Sequence, residues 1–408
     1  MQMYKINSRL TKRFTHLFVL VTYCTILFSC KKGEDETPPP VVPVIKIEDA
    51  SRDRTTTAGT MQFTITLNKK TTVPVSVDYK LVDGTAVAPD DYATASGTVT
   101  IPANQLQGQL DVQIKGDPAD IRENNLEFTV QLSNAKNGAL GVPSAKGTII
   151  TENGTSLSTD NTGYSTPLSY PGYTLAWNDE FDGSSLNLVN WNQEVGNGTN
   201  GWGNHELEYY TNSAKNTFVS NGNLIIEARK EAISGFNYSS GRMTTQNKKT
   251  FTFGRIDIRA KLPVGKGIWP ALWMLGSNIT TVGWPSCGEI DIMELIGTYP
   301  GRCYSTMHWN GTSGHASKGS EYNLSSGNFS QQFHVFSLVW SQDTIKCYVD
   351  DQLYLTVVKS DAGAANYPFN LSHFLIFNVA VGGDWPGAPD ANTPFPQRMF
   401  VDYVRVFQ

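Results

Sequence analysis

From residue 45 to 151, apolar side chains recur at every second position: Phe63, Ile65 and Leu67; Val73, Val75, Val77 and Tyr79; Leu110, Val112 and Ile114; Leu126, Phe128, Val130 and Leu132. A period of two is one face of a β-strand. Turn formers such as Asp83-Gly84 and Asn137-Gly138 separate the runs, and no helix-period segment of useful length interrupts them. The pattern predicts a small Ig-like antiparallel β-sandwich. A second tract, 171–408, alternates in the same way: Leu224 and Ile226; Phe253, Arg255, Asp257 and Arg259; Cys347 and Val349; Phe374, Ile376 and Asn378; Val401, Tyr403 and Arg405. Many short strands over that length predict a large two-sheet jelly roll with one concave face. The chain is therefore expected to be all-β.

The flanks read differently. Lys5, Arg9, Lys12 and Arg13 precede the apolar run Leu17 to Phe28, which is too short to cross a hydrocarbon core of about 30 Å as a helix. Residues 1–29 read as an export signal. The charged and then Pro-rich stretch 30–44 has nothing to bury and reads as a tether. Residues 152–170, rich in Ser, Thr, Asn and Gly, read as a second linker.

Composition narrows the field. The 408 residues carry 32 Lys+Arg against 37 Asp+Glu, and no basic block follows the leader, which argues against a nucleic-acid partner. Beyond the leader and Cys30, the cysteines are Cys287, Cys303 and Cys347, an odd number, so at least one is expected to be a free thiol. All nine tryptophans lie between Trp177 and Trp385. Tryptophan offers a flat apolar face to a sugar ring while its N–H can still find a partner, so their concentration points toward carbohydrate.

The chemistry centres on Gly288-Glu289-Ile290-Asp291-Ile292-Met293-Glu294-Leu295. On a regular strand, 289, 291 and 293 share a face, yet 293 is Met and the third acid stands at 294. One extra residue, a β-bulge within Ile292 to Met293, would return Glu294 to the face of Glu289 and Asp291. The interleaved Ile290, Ile292 and Leu295 embed the strand in an apolar layer, where clustered carboxylates are costly. Such clusters, with no Lys or Arg in the segment, mark a metal or acid/base site. If Gly297 to Arg302 turn the chain between Tyr299 and Pro300, His308 falls opposite Asp291 to within a residue or two, able to hydrogen-bond Asp291 or Glu294. The same register keeps Cys303 far from Cys287 and disfavours a bridge between them. His315 and Glu321 fall in a Gly/Ser-rich loop at an edge of the cleft.

Several segments carry family resemblances. Leu27-Phe28-Ser29-Cys30 resembles a bacterial lipobox, which implies lipid attachment at Cys30 and anchoring to the outer membrane, with surface exposure in view of Glu34-Asp35-Glu36. DGTAVAPDDY (83–92), GTVTIPANQ (97–105) and the acidic stretch 116–135 resemble a Calx-β domain over 45–151. Members often bind calcium, and Asp90, Asp91, Asp117, Asp120, Glu123 and Glu127 are donors of the right type, though the module reads better as a spacer. ExDxxE after GIWPALWML (267–275), with WNDEF (177–181), GWGNHELEYYT (201–211), Ser240-Gly241-Arg242, Met307-His308-Trp309, NVAVGGDWPG (378–387) and VDYVRV (401–406), resembles glycoside hydrolase family 16, laminarinase-like branch, across about 173–408.

That resemblance implies a concanavalin A-like sandwich and a retaining endo-β-1,3-glucanase. Glu289 would be the nucleophile, Asp291 its electrostatic helper, Glu294 the acid/base and His308 a tuning residue. Substrate contacts would come from Asn204, Arg242, Trp269, Trp273 and Trp385. A structural calcium would rest on Glu180, Gly222 through its carbonyl, and Asp402. No cofactor is implied for catalysis, the expected partner is a β-glucan with the membrane met only through the lipid anchor, and a monomer is expected. Two other readings stand beside this one: a family 16 enzyme for mixed-linkage glucan or an agar-type galactan, and a glycan-binding protein without turnover.

Overall fold

The computed structural model describes residues 42–363 and 367–408. Cys30, the leader 1–29 and nearly all of the tether 30–44 lie outside the described residues. Residues 43–408 form one compact unit, built of two β-sandwiches.

The first sandwich packs a four-stranded sheet, in the order Gln107–Ile114, Gly59–Leu67, Val44–Ile47, Ala139–Val142, against a five-stranded one, in the order Ala50–Asp53, Ser144–Ile150, Leu126–Lys136, Val75–Asp83, Ser96–Ile101. The period-two residues meet between the sheets: Phe63, Ile65, Leu67, Val75, Val77, Leu110, Val112, Ile114, Phe128, Val130 and Leu132 are all buried. Val73 is the exception, 48% exposed, because it lies in the turn ahead of Pro74 and the strand begins only at Val75. The acidic loops hold themselves together. Asp117 accepts from the backbone of Ala119 and Ile121, Asp120 from Thr155, and Asp91 from Arg54. These bonds suit a structural spacer.

The second sandwich has an outer sheet in the order Thr217–Ser220, Asn223–Ala228, Gln397–Phe407, Gly254–Lys261, His334–Ser341, Thr344–Val349, Gln352–Val358, with Leu175–Asp179 also pairing the third of these. Its inner sheet runs Asn192–Gln193, Arg242–Thr244, His373–Val381, Ile268–Gly276, Glu289–Glu294, Arg302–Gly311, Gly314–Asn323. Between them lies one core that includes Leu224, Ile226, Ile258, Leu272, Met274, Ile290, Ile292, Met293, Leu338 and Val404. Trp191, Trp309 and Trp340 are buried there too, so part of the tryptophan enrichment is packing. Cys287, Cys303 and Cys347 are all free and buried, more than the single unpaired thiol the odd count required.

Residues 152–170 lack regular structure for most of their length, yet they do not hang free. They strap the outer face of the outer sheet through polar contacts. Thr166 bonds Tyr403 at 2.8 Å, Tyr170 donates to Asp257 at 2.7 Å, and Arg259 and Arg405 donate to the carbonyls of Tyr164, Asn161 and Thr166. The charged members of the alternating runs, Asp257, Arg259 and Arg405, are buried beneath this strap. A segment docked by hydrogen bonds has no need of an apolar period, which is why its sequence reads as a plain linker.

The first sandwich is tied down just as firmly. Arg122, fully buried, donates to Glu227 at 3.0 Å and to the carbonyls of Lys215 and Ala214 on the second sandwich, and its guanidinium lies 3.8 Å from the Phe218 ring centre. Glu227, also fully buried, is met by Arg229 at 2.7 Å and Arg398 at 2.6 Å as well.

Candidate active site

The acidic strand Glu289–Glu294 pairs with Ile268–Gly276 on one side, and its register shows the bulge. Leu272 faces Met293 and Trp273 faces Asp291, leaving Ile292 as the extra residue. Ile292 and Met293 both enter the core, so Glu289, Asp291 and Glu294 share the opposite, concave face. They line a cavity of about 310 Å³ with Trp202, Trp269, Trp273, Trp284, Arg242 and Asn378.

On its other side the acidic strand pairs with Arg302–Gly311. Glu289 stands opposite His308 and Asp291 opposite Thr306, while Glu294 faces Tyr304, so the bulge shifts the register and His308 sits two positions from that of Asp291. Its ring still spans both acids. His308 Nε2 is 3.2 Å from Asp291 Oδ2 and 3.8 Å from Glu289 Oε1. The contact with Asp291 is close but off the N–H axis, and Asp291 Oδ2 accepts no aligned hydrogen bond. Donor atoms of Glu289, Asp291 and His308 all lie within 4.8 Å of one another, near enough for strong coupling of their charges.

Electrostatics shifts the two outer acids in the same direction. Burial pushes Glu294 up to about 8, with Asp291 adding to the rise, while His308 and the Trp269 N–H, donating at 3.0 Å, oppose it. Burial and Asp291 also raise Glu289, but His308 and the Trp284 N–H, donating at 2.9 Å, favour its charged form. Asp291 is raised by burial alone. A group of acids that shares protons in this way keeps one acid protonated at neutral pH beside one that can ionise. If Glu294 must carry a proton for turnover, kcat/KM is expected to fall as pH rises through about 8, where that proton is lost. A pH profile of kcat/KM checks this; a flat profile to pH 9.5 would refute it. Folding stability should decline as pH rises from the ordinary carboxyl range, where the unfolded chain releases this proton, up to about 8, and level off above it.

The remaining sequence-read residues take definite places. Trp269 and Trp273 stand on the groove face, and the Trp273 N–H donates to Asn378 at 2.7 Å. Asn378 in turn donates to Tyr210, which donates to Glu206. Asn204 lines the cavity, but its amide also donates to Glu206 at 3.2 Å. Arg242 is clamped between walls, its guanidinium 4.3 Å from the Trp202 ring and 4.9 Å from Trp273, with its Nε bonded to Glu194. It therefore props up the aromatic walls as well as facing the cavity. Trp385 stands at the mouth, 42% exposed, edge-on to Trp269 at 5.5 Å and to Tyr304 at 5.0 Å.

The calcium set does not assemble as expected. Both oxygens of Glu180 accept from Arg405, at 2.9 and 2.8 Å, and Asp402 accepts from Arg259 at 2.8 Å. Gly222 sits in the turn between Ser220 and Asn223 with φ of 69°. Carboxylates already neutralised by guanidinium groups do not offer a hard cation the charge it requires, so these residues do not fit the ion.

Sequence reasoning missed Trp202, Trp284, Glu206, Asn378 and the partner of His308. Trp284 lies in a loop without period, and the others matter through contacts across strands distant in sequence. Trp202 and Glu206, inside GWGNHELEYYT, and Asn378, which opens NVAVGGDWPG, stood in segments already singled out, but with no role attached.

Known proteins agree with this geometry. The family model for glycosyl hydrolases family 16 matches residues 204–405, and that for the Calx-beta domain matches 41–154. The chain is 40% identical over 259 residues to glucan endo-1,3-beta-glucosidase A1 of Niallia circulans, a match covering 58% of this chain and 38% of that longer protein. It is 40% identical over 251 residues to the beta-glucanase of Rhodothermus marinus, covering 58% of this chain and 86% of the relative. The solved laminarinase catalytic domain of Thermotoga maritima MSB8 superposes with a TM-score of 0.55 at 49% identity, over 58% of this chain and 98% of that one. A bulged acidic strand in a tryptophan-walled groove, together with these matches, places the chain in glycosyl hydrolases family 16, with a Calx-beta domain ahead of the hydrolase sandwich.

Proposed function

We propose that the protein is a retaining endo-β-1,3-glucanase, exported and held at the outer membrane by lipid on Cys30. The observation that carries the enzymatic reading is the bulge at Ile292, which sets Glu289 and Glu294 on one face of one strand. Retention needs two carboxyl groups about 5 to 5.5 Å apart, a separation that neighbouring same-face positions can provide.

Glu289, ionised and aimed by the Trp284 N–H, attacks the anomeric carbon. Glu294, kept protonated by burial, gives its proton to the departing glycosidic oxygen. Water then enters, Glu294 takes its proton back from that water, and the bond to Glu289 breaks with the configuration restored. Asp291, lying between them, moderates the charge of each. Trp269 and Trp273 offer ring faces along the groove and Trp385 a further face at its mouth. Relatives named for 1,3-β-glucan and laminarin support this linkage.

Digestion of laminarin, mixed-linkage glucan and agarose, with products resolved by chain length and anomeric configuration read early by NMR, tests the proposal. Laminarin should yield short oligosaccharides with the β-configuration at the new reducing end. Intact laminarin beside cleaved agarose would overturn the substrate, and initial α-product would overturn the retaining mechanism.

A further inference from the structure

His315 lies in the strand Gly314–Asn323, across the hairpin from the strand that carries His308. In that register His308 faces Ser317 and Asn310 faces His315, so the two histidines are diagonal neighbours on the same face. Their rings are nearly parallel, 16° apart, and His308 Nδ1 meets His315 Nε2 at 2.8 Å. The Trp284 ring lies against His315, with centroids 4.8 Å apart. Trp284 and His308 are also the two side chains that approach the Glu289 carboxylate from opposite oxygens. His315 thus meets both of the side chains that approach Glu289.

We propose that His315 is a positioning residue for the hydrolysis. Its bare Nε2 accepts the Nδ1–H of His308, which fixes that ring and keeps its Nε2 facing Asp291 and Glu289. This inference rests on the retaining reading above.

The charge balance supports it. The ionisable groups facing His308 are Glu289 and Asp291, with Glu294 farther along the acidic strand, and His315 from the hairpin. Lys318, on the same strand as His315, is tied to Asp361 at 2.7 Å. His308 is thus the nearest group able to offer a counter-charge to three acids, and it favours the charged forms of both Glu289 and Glu294. Two imidazoles joined through one hydrogen bond cannot both be cationic without placing two protons between them. His315 is held toward its neutral form by partial burial and by His308, as an acceptor must be.

Two substitutions separate positioning from mere support. His315→Phe keeps a ring against Trp284 and removes the acceptor. His315→Gln restores an acceptor through its amide oxygen. In the Phe variant kcat should fall about tenfold with KM little changed, and both limbs of the kcat/KM profile should move to higher pH by about one unit. The Gln variant should return the limbs toward the parent. Limbs that stay in place in the Phe variant, however much its rate falls, would overturn the proposal, as would a Gln variant that fails to restore them. Nitrogen-15 spectra of the unsubstituted protein give a readout independent of activity. His308 should show a protonated Nδ1 and His315 a bare Nε2, whereas a bare Nδ1 on His308 would refute the pairing. If the parent protein cleaves no glucan, the retaining reading fails while the spectra still decide the pairing.

Discussion

Replacing Glu289 by Gln should reduce kcat on laminarin by at least about 10⁴-fold, the scale seen when a covalent nucleophile is removed. The amide preserves the side chain's shape and can still receive the Trp284 N–H, so oligosaccharide binding should survive and the loss should fall on kcat. Glu294→Ala should separate the roles of the two acids. It removes the proton donor but leaves the nucleophile, so a substrate with a leaving group that needs no protonation should still form the glycosyl-enzyme, which then waits for a base. Azide, which needs no base, should release it as the β-glycosyl azide. In Glu289→Ala, azide can only enter from the opposite face and give the α-azide. Normal turnover by Glu289→Gln, or an α-azide from Glu294→Ala, would exchange or dismiss these assignments.

The largest effect on stability is expected from Glu227→Gln. The change leaves Arg122 fully buried with its anion gone, and stranding one partner of a buried ion pair costs about 3–5 kcal/mol. Arg122→Met should cost less, about 1–3 kcal/mol, because Glu227 keeps Arg229 and Arg398 and the methionine stem can still cover Phe218. The double variant should be less destabilised than the two single costs combined, since it removes both charges of one contact. Chemical denaturation of the three variants measures this. A Glu227→Gln variant within about 0.5 kcal/mol of the parent, the range of ordinary surface changes, would show that the cluster contributes little.

Both sandwiches were legible in the sequence because a strand with one face in the core leaves a period-two trace, and Phe63 to Leu67 or Leu110 to Ile114 carry it without interruption. The bulge was legible for the same reason, since Met293 falls where the third acid belongs and the alternation breaks at one point. The position of His308 is read to within two residues, an error set by the centre of the turn before it and by the bulge, which shifts the register by one more position. Arg122, Trp284 and His315 gave no such signal. Their roles depend on neighbours 105, 5 and 7 residues away whose approach follows from turns and packing, and periodicity carries no information about either. The expected calcium set shows the converse. Glu180 and Asp402 lie in segments that match the family's motifs, but arginines on the same sheet take their oxygens, and a motif does not record which counter-charge arrives first.

The polar strap and the Arg122 contact bear on how the two modules can be inherited. A unit joined by a bare tether can be exchanged for another without cost to its neighbour. Here the hydrolase sandwich leaves a carboxylate and a charged sheet face to be covered from outside, so severing the chain near residue 170 would expose both to water. A different module joined at that junction would leave Glu227 to Arg229 and Arg398 alone and would uncover the charged sheet face unless it brought a covering segment of its own.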